Sequence, residues 1–437
     1  MTPQPPPAPG PQENRLAAYL NDLAQATGHR DRHQPLKNYC TGLLLPGERK
    51  SIEPMAARLA PETTRRMHQS LHHLVADAAW SDQAVIERIW QRVLPAMTQK
   101  NPIVAWIVDD TGFPKKGRHS VGVDRQYCGQ VGKQDNCRVA VSLSVSTESA
   151  SLPVAFELYL PVSWTEDSKR RQTAGVPTEV EFRTNPLMAI EQIQSAKESG
   201  LPPALVVADA DYGNDTKFRE ALTAMEIEYA VGIQSTVSLW RPGEEPLPPK
   251  PKKNTGRPPK LRQRSPSHQP ATALQIAQEL SVGAWKNTTW REGTKKTRRS
   301  RFACVRVRPA HRDFECSEPH REQWLLLEWP KDEPEPTKYW LSTLHPASTL
   351  AELVKVAKHR WIIERDYEEL KQELGLGHFE GRGWRGFHHH ATLCLAAYGF
   401  LIAERSRVSP SARAGALQLS LPPIPDHWRP RGAPATA

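Results

Sequence analysis

The chain has 437 residues, more than one ordinary hydrophobic core accommodates, so its length predicts two or three domains. Lys and Arg number 58 against 48 Asp and Glu, and the resulting net charge of +10 favours a polyanionic partner such as nucleic acid. There is no apolar run long enough to span a bilayer and no secretion signal, so we expect a cytoplasmic protein with no membrane partner. The six cysteines lack CxxC spacing, which disfavours a zinc site or a disulfide framework.

The N-terminal part predicts a tail followed by helices. Residues 1–12 are rich in proline, and such a segment buries too little apolar surface to become ordered. Over residues 13–98 apolar side chains recur at helical spacing, as at Leu16 and Leu20, which predicts a helical domain. Basic side chains such as Arg65 and Arg66 make this a predicted DNA-binding domain, with an ordinary solvated helix face as the alternative.

Residues 99–236 predict an α/β domain with a mixed sheet. The stretch IVAWIVDD predicts a buried strand that ends in Asp109 and Asp110, and LVVAD predicts a second strand that ends in Asp209. Between them, alternating apolar residues over 139–145 and 154–160 predict an antiparallel hairpin. Acidic side chains are therefore delivered to the ends of two strands.

The C-terminal half predicts an insertion, a return to helices and a second tail. Residues 237–345 begin with a basic, proline-rich loop and continue with short strand-like pieces, which predicts a β-rich insertion. Residues 346–406 predict two helices, over 349–376 and 387–405. Residues 407–437 are again rich in proline and predict a disordered tail.

On one continuous helix over 349–376, Arg360, Glu364 and Lys371 would fall within roughly 40° of one another. Such a polar ridge beside an apolar stripe is an unusual place for a carboxylate. The ordinary alternative is a solvated salt-bridge ladder, because Arg and Glu four residues apart stabilise any helix.

Three acids thus arrive in chain order: Asp109 or Asp110, then Asp209, then Glu364. Several carboxylate oxygens can hold two divalent cations about 4 Å apart, which activate an attacking oxygen and stabilise a leaving oxygen in phosphoryl transfer. Any single acid at a strand end is more often a helix cap or turn former. Three in such positions favour a metal site.

These residues stand in motifs that resemble a known family. DDTGFPKKG, then VVADADYGND, then RWIIERDYEELKQELGL resemble bacterial insertion-sequence transposases of the DDE class, in the IS-four-like superfamily and its IS-seven-hundred-one-type branch. The resemblance implies an RNase H-like catalytic domain with a mixed five-stranded sheet in two parts, 99–236 and 346–406. It also implies that the β-rich insertion lies between the second catalytic Asp and the catalytic Glu.

The resemblance assigns the catalytic and metal-binding acids to Asp110, Asp209 and Glu364, with Asp109 as the alternative to Asp110. It implies two Mg²⁺ ions as cofactors, with Mn²⁺ as a substitute. The family's Tyr, Arg, Glu, Lys signature on the last catalytic helix is matched at Arg360, Glu364 and Lys371, whereas the Tyr position is Ala357.

Further DNA contacts follow from the same motifs. Arg360 and Lys371 are expected to bind phosphates beside the scissile bond. Lys115 and Lys116 are plausible phosphate contacts, with a solvated turn as the alternative. Tyr367, on the helix of Glu364, is either a substitute for the missing Tyr or a core aromatic residue.

In relatives that carry the signature, ends are freed through a DNA hairpin, which requires a surface that receives an unstacked base. Tyr339 and Trp340 lie where such relatives present a stacking Trp. Because neighbouring strand residues face opposite ways, only one of the two could serve, and packing of both within the insertion is the alternative.

The expected function is that of a DNA transposase that binds the terminal inverted repeats of its element, cuts them and joins the 3' ends to target DNA. Double-stranded DNA, a homodimer in the synaptic complex and a nucleoid-associated location are implied. An RNase H-like nuclease without strand transfer and a non-catalytic DNA-binding repressor are the alternatives. His388, His389 and His390 cannot converge on one ion from successive helix positions, so they are predicted to lie on the helix surface or to face DNA.

Overall fold

The structure is a computed structural model that describes residues 10–250, 259–291 and 298–407. Most of both predicted tails, and residues 251–258 of the basic proline-rich loop, lie outside the described residues. Pro11 and Gln12, expected within the N-terminal tail, already belong to the first helix. The chain divides into a first unit, residues 1–103, 109–201 and 362–437, and a second unit, residues 104–108 and 202–361. This division differs from the sequence-based one, because the N-terminal helices share a unit with later strands and helices.

The α-helices are α1 (Pro11–Gln25), α2 (His33–Leu44), α3 (Ile52–Leu59), α4 (Thr64–His72), α5 (Asp82–Thr98), α6 (Val162–Thr165), α7 (Ser168–Ala174), α8 (Asn185–Glu198), α9 (Ala210–Gly213), α10 (Thr216–Ala224), α11 (Ala273–Glu279), α12 (Leu350–Lys358), α13 (Trp361–Glu368) and α14 (Trp384–Arg407). The strands are β1 (Ala105–Pro114), β2 (Asp124–Cys128), β3 (Lys133–Ser146), β4 (Ser151–Leu158), β5 (Leu205–Ala208), β6 (Tyr229–Ile233), β7 (Ser238–Trp240), β8 (Ala271–Thr272), β9 (Lys286–Arg291), β10 (Arg298–Pro309), β11 (Gln323–Trp329) and β12 (Lys338–Ser342).

In the first unit, helices surround an antiparallel set of strands. β3 pairs antiparallel with β4, which confirms the predicted hairpin, and with β2, which the sequence did not reveal. Helix α14 lies at the centre, since its side chains from Gly386 to Ala403 are buried. It contacts α5, α2 and β4, so it is buried on every side rather than along one stripe.

In the second unit, strands pair in a mixed sheet. β1 pairs parallel with β5, and β5 pairs parallel with β6. β12 then pairs antiparallel with β6, β11 with β12 and β10 with β11. The predicted mixed α/β class is confirmed. The predicted five-stranded sheet is too small, because strands of the insertion continue from β6 instead of forming a separate sheet.

The prediction of one helix over 349–376 is wrong. α12 begins with a capping box of Thr349 and Glu352 and ends at Lys358, a two-residue turn follows, and α13 starts at Trp361. Residues 369–373 then form a π-helical turn. Arg360 therefore lies in a turn and Lys371 in a π turn, so the uniform 100° rotation from which the ridge was predicted is not kept. The buried hydrogen bonds of Asp366 and Tyr367 in α13 outweigh the helical periodicity of the sequence.

Two other sequence-based expectations concern cysteines and membranes. Each of the six cysteines is a free thiol, as predicted. Within the described ranges, no helix is long and apolar enough to cross a membrane.

Candidate active site

In the first unit, Asp110 lies within β1, which continues to Pro114, so the prediction that this strand ends in Asp109 and Asp110 is wrong. Asp110 is only partly buried. Its Oδ2 accepts a hydrogen bond from Nδ2 of Asn185 at 3.1 Å, at the start of α8. The neighbouring Asp109 is buried, and its Oδ1 accepts from the backbone N–H of Asp110 at 2.9 Å. The amide of Asn185 therefore fixes the Asp110 carboxylate without neutralising it, whereas Asp109 is partly committed to the local backbone.

Glu364 projects from the exposed side of α13, whose opposite side is fixed by buried polar contacts. The carboxylate of Asp366 accepts hydrogen bonds from Tyr398 at 2.7 Å and from Ser151. The Tyr367 hydroxyl lies 2.7 Å from that of Ser142, a buried position that fits the core alternative rather than a phosphate contact.

Burial is the main reason that the pKa of Asp366 is raised, to about 7, because desolvation penalises the charged form. Arg365 also fixes α13 to the turn between β3 and β4, since its Nη2 donates to the Ser149 carbonyl at 3.2 Å. Glu364 itself makes no hydrogen bond or ion pair with the described residues. Its carboxylate is thus held on a rigid helix and remains available to a ligand.

Lys371 lies close to Asp110 in the first unit. Its Nζ donates to the Gly112 carbonyl of β1 at 2.7 Å and lies 4.8 Å from the ring centre of Phe113. Burial lowers the pKa of Lys371 to about 8, and the charge of Asp110 partly opposes this shift. Lys371 is therefore placed beside the acid-bearing strand, with its ammonium partly desolvated.

The two lysines that follow β1 differ from each other. Nζ of Lys115 donates to the Phe379 carbonyl at 2.9 Å, and burial lowers the pKa of Lys115 to about 8. Lys115 therefore fixes the segment before α14 and is not part of a solvated turn. Lys116 is exposed in a groove lined by other basic side chains.

In the second unit, Asp209 directly follows β5 and caps α9. Its Oδ1 accepts from the backbone N–H of Asp211 at 3.0 Å, and its Oδ2 lies 3.9 Å from Nη1 of Arg360. The side chain of Asp209 is 31% exposed, so it is open to a ligand. Burial and the charge of Asp209 raise the pKa of Asp211, while Arg360 opposes the shift. Arg360 thus offers positive charge at this acidic turn.

The backbone at Asp209 rests directly on β6. A Cβ at Gly232 would lie 2.8 Å from the amide nitrogen of Ala210 and 3.0 Å from the carbonyl carbon of Asp209. A Cβ at Gly213 would lie 1.9 Å from the Gly232 carbonyl oxygen. Two glycines therefore allow the close approach that positions Asp209.

Tyr339 and Trp340 are both buried, in hydrophobic clusters on opposite sides of β12. The Tyr339 hydroxyl donates to the Pro336 carbonyl at 2.8 Å, and Nζ of Lys358 lies 5.1 Å from the Trp340 ring centre. The expectation that they face opposite ways is confirmed. Neither presents an open ring face here, so a stacking role stays a prediction.

The three consecutive histidines are buried, so the prediction that they lie on the helix surface or face DNA is wrong. Nδ1 of His388 lies 3.0 Å from the Trp384 carbonyl, while Nε2 of His389 lies 3.0 Å from the Trp80 carbonyl. Nε2 of His390 lies 2.9 Å from the Gly375 carbonyl. Since α14 is surrounded on all sides, these polar side chains are satisfied by the backbone of neighbouring segments.

No group of three or more His, Cys, Asp or Glu side chains is arranged to hold a metal ion in the part of the chain that the structure describes. Asp110, Glu364 and Lys371 fall in the first unit, and Asp209 and Arg360 fall in the second.

Sequence reasoning missed Asn185, Gly213 and Gly232. The glycine of DADYG was a visible signal, because a glycine just after an acid at a strand end allows close backbone packing. Neither Asn185 nor Gly232 stands in a pattern that predicts its contact.

Comparison with known proteins defines the class. The sequence model of the DDE superfamily endonucleases matches residues 22–297, more than half of the chain, and so the chain belongs to the DDE superfamily endonuclease family. The matched segment contains Asp110 and Asp209 and ends before Glu364.

A relative from Microchaete diplosiphon, named "Probable transposase for insertion sequence element IS701", is 32% identical over 168 residues. The aligned segment covers 38% of this chain and 41% of that relative, so the comparison spans about two fifths of the relative's length.

Proposed function

We propose that the protein is a DNA transposase that binds the terminal inverted repeats of its insertion sequence, cleaves there and transfers the 3' ends to target DNA. Membership of the DDE endonuclease family is the observation that carries this proposal. The relative named as a probable transposase supports strand transfer as the outcome of cleavage.

The RNase H-like arrangement is part of the same proposal. β1 has β3 as its neighbour on one side and the parallel β5 on the other. Parallel neighbours end at the same edge of a sheet, and catalytic residues of α/β proteins gather where strands end. Asp110, which is carried by β1, and Asp209, which follows β5, fit such a site.

Asp110, Asp209 and Glu364 would hold the divalent ions. Carboxylate oxygens are the hard donors that Mg²⁺ prefers, and Mn²⁺ accepts the same donors. The side chains fit this use, because Asp110 and Asp209 are only partly buried and Glu364 is exposed on a fixed helix. When bound, two ions supply activation of the attacking oxygen and stabilisation of the leaving oxygen. Asn185 orients the Asp110 carboxylate, and Gly232 sets the backbone of Asp209.

Asp109 remains the alternative to Asp110. Ile107 pairs with Val207, and Asp109 and Asp209 each follow these residues by two positions. The alternation of strand side chains therefore favours Asp109, whereas the contact with Asn185 and the proximity of Lys371 favour Asp110. Asp109→Asn and Asp110→Asn, compared for cleavage, decide between them.

Arg360 and Lys371 would bind phosphates that flank the scissile bond. Arg360 lies beside Asp209, and Lys371 lies beside the strand of Asp110. A positive charge next to each acidic residue offsets the repulsion between the acids and the DNA backbone. Cleavage of both strands through a DNA hairpin, and a homodimer that holds two ends together, complete the proposed cut-and-paste route.

The test is strand transfer by the purified full-length protein. Pre-cut DNA carrying the ends of its element is mixed with a supercoiled target plasmid and Mg²⁺, and we expect joined products. Cleavage of uncut ends without joining would instead identify an RNase H-like nuclease. Binding without either reaction would identify a repressor derivative.

A further inference from the structure

We propose that a basic groove on the first unit binds the sugar-phosphate backbone of DNA and that the exposed ring of Tyr127 stacks on an unpaired base beside it. The hairpin groove, as we call it, lies between the β1–β2 loop and the β2–β3 hairpin, with basic side chains Lys116, Arg118, Arg125 and Lys133. This inference rests on the proposed function, because the DNA is the transposase's own substrate. It adds a binding surface of which only Lys116 belongs to one of the catalytic motifs.

The four basic side chains of the hairpin groove are exposed, and none forms an ion pair with a described residue. Some other arginines of the unit are paired, as Arg92 is with Asp22 at 2.5 Å. A cluster of unpaired like charges is costly unless an anion of matching spacing neutralises it. A phosphate backbone is such an anion, since it presents charges in a regular row.

The two acids of the groove form no ion pair with these four basic side chains and offset only part of their charge. Asp124 accepts hydrogen bonds from Ser163 and from the backbone N–H of Arg125, the latter at 2.7 Å. Asp135 accepts from the backbone N–H of Asn136 at 2.7 Å. Both carboxylates keep their negative charge, but with Arg170 the groove has five basic side chains against these two acids, so an excess of positive charge remains.

The groove is held in shape before any ligand arrives. Nη2 of Arg170 donates to the Arg118 carbonyl at 2.8 Å and to the Val123 carbonyl at 3.2 Å, and its guanidinium lies 3.8 Å from the Trp164 ring centre. Asn136 donates to the Gly117 carbonyl at 3.1 Å. Because these contacts fix the β1–β2 loop, DNA binding costs less conformational entropy.

Tyr127 supplies an open aromatic surface next to this groove, opposite the lining residue Gln134 on β3. Its side chain is 60% exposed, although a tyrosine normally buries much of its ring. It lies two residues from Arg125 on β2, so both side chains face the same way. A ring beside unpaired cations is the combination that binds single-stranded DNA, with stacking on bases and charge on phosphates. The buried rings of Tyr339 and Trp340 lack this access.

The groove is close enough to the acids to bind the same DNA molecule. Lys116 follows Asp110 by six residues, so the two lie at most about 20 Å apart in the first unit. Phosphates of one strand advance about 3.4 Å per nucleotide along the duplex axis. DNA in the groove would therefore be held within about six nucleotides of Asp110.

Fluorescence anisotropy with the full-length protein in EDTA tests the proposal without cleavage. The probes are a labelled duplex of arbitrary sequence and a labelled oligothymidylate, titrated over a range of salt concentrations. Arg125→Gln or Lys133→Gln should each reduce the magnitude of the negative slope of log K against log salt for the duplex by about one. Lys100→Gln, which removes an exposed, unpaired charge of the same unit outside the groove, should leave the slope unchanged.

For the oligothymidylate, Tyr127→Ala should weaken binding roughly 5- to 150-fold, and Tyr127→Phe should bind like wild type. Unchanged slopes, or equal losses with Lys100→Gln, would overturn the phosphate assignment, and unchanged binding by Tyr127→Ala would overturn stacking. Strand transfer by the wild type, run in parallel, separates the two claims. If the wild type transfers strands normally but the groove variants keep the wild-type slope, only the proposed role of the groove is refuted. If the groove variants have less steep slopes but the wild type transfers no strand, the role of the groove is supported and the transposase function is refuted.

Discussion

Replacing Gly232 by alanine is expected to misplace Asp209 while leaving the fold in place. The added Cβ would lie 2.8 Å from the amide nitrogen of Ala210 and 3.0 Å from the carbonyl carbon of Asp209. Ordinary contacts of this kind are near 3.5 Å, so the acid-bearing turn has to move by about 0.5 Å.

The two consequences of this movement differ in size. Overpacking of this kind typically costs about 1–3 kcal/mol, which lowers Tm by several degrees. Catalysis is more sensitive, because a catalytic group must be held within about 0.5 Å and a misplacement of about 1 Å can cost about 100-fold. We therefore expect Gly232→Ala to cleave end DNA about 10- to 100-fold more slowly than wild type.

The assay is the initial rate of nicking of labelled end DNA in Mg²⁺, with a thermal melt of each variant. Gly283→Ala is the matched control, since a Cβ there would meet only Ser281 Oγ, at 3.9 Å, in the same unit. Equal rates for Gly232→Ala and Gly283→Ala, with Gly232→Ala folded, would refute the reasoning that β6 positions Asp209.

Three further predictions concern charge, the buried histidines and the insertion. The pKa of Lys371 is about 8, so its ammonium is protonated below that pH and its share of DNA binding should fall as pH rises to about 9. Lys371→Arg should keep its affinity for DNA at this higher pH, because arginine stays protonated. If anisotropy shows the same loss of DNA binding in the wild type and in Lys371→Arg, the role of Lys371 is contradicted. His390→Leu leaves the Tyr39 hydroxyl and the Gly375 carbonyl without their buried partner, and should lower the free energy of unfolding in urea by about 2–6 kcal/mol. Zn²⁺ should not raise the Tm of the wild type. If the insertion carries a base platform, only one of Tyr339→Ala and Trp340→Ala should lose hairpin formation with first-strand nicking intact; equal loss of both steps in both variants would identify packing alone.

The strands that carry the acids could be predicted because their sequences leave few alternatives. The apolar runs in β1 and β5 have apolar residues at successive positions, as expected of strands buried on both faces. An acid follows each run, although β1 itself continues past its acids to Pro114. The β3–β4 hairpin was visible from strict alternation. β2 was missed because its pattern alternates exposed and partly buried polar residues, so no apolar face marks it.

Tertiary contacts decided what local pattern could not. No proline or glycine interrupts the sequence from Thr349 to Glu373, yet the helix breaks before Trp361, where the anchored segment of Asp366 and Tyr367 begins. The three histidines of α14 read as polar surface residues, and only the position of the helix inside the first unit reveals their burial. In the same way, the carbonyl bonded by Lys115 lies far away in the sequence.

In the proposed site, Glu364 completes a set of metal-binding acids with Asp110 and Asp209. The most direct measurement is cleavage of end DNA in Mg²⁺ by full-length Glu364→Gln, beside a thermal melt and an anisotropy titration of the same preparation. We expect wild-type folding and end binding with cleavage reduced to background, since groups that act as a unit lose nearly all activity when one is removed. Cleavage by the folded variant at a rate near that of wild type would contradict it.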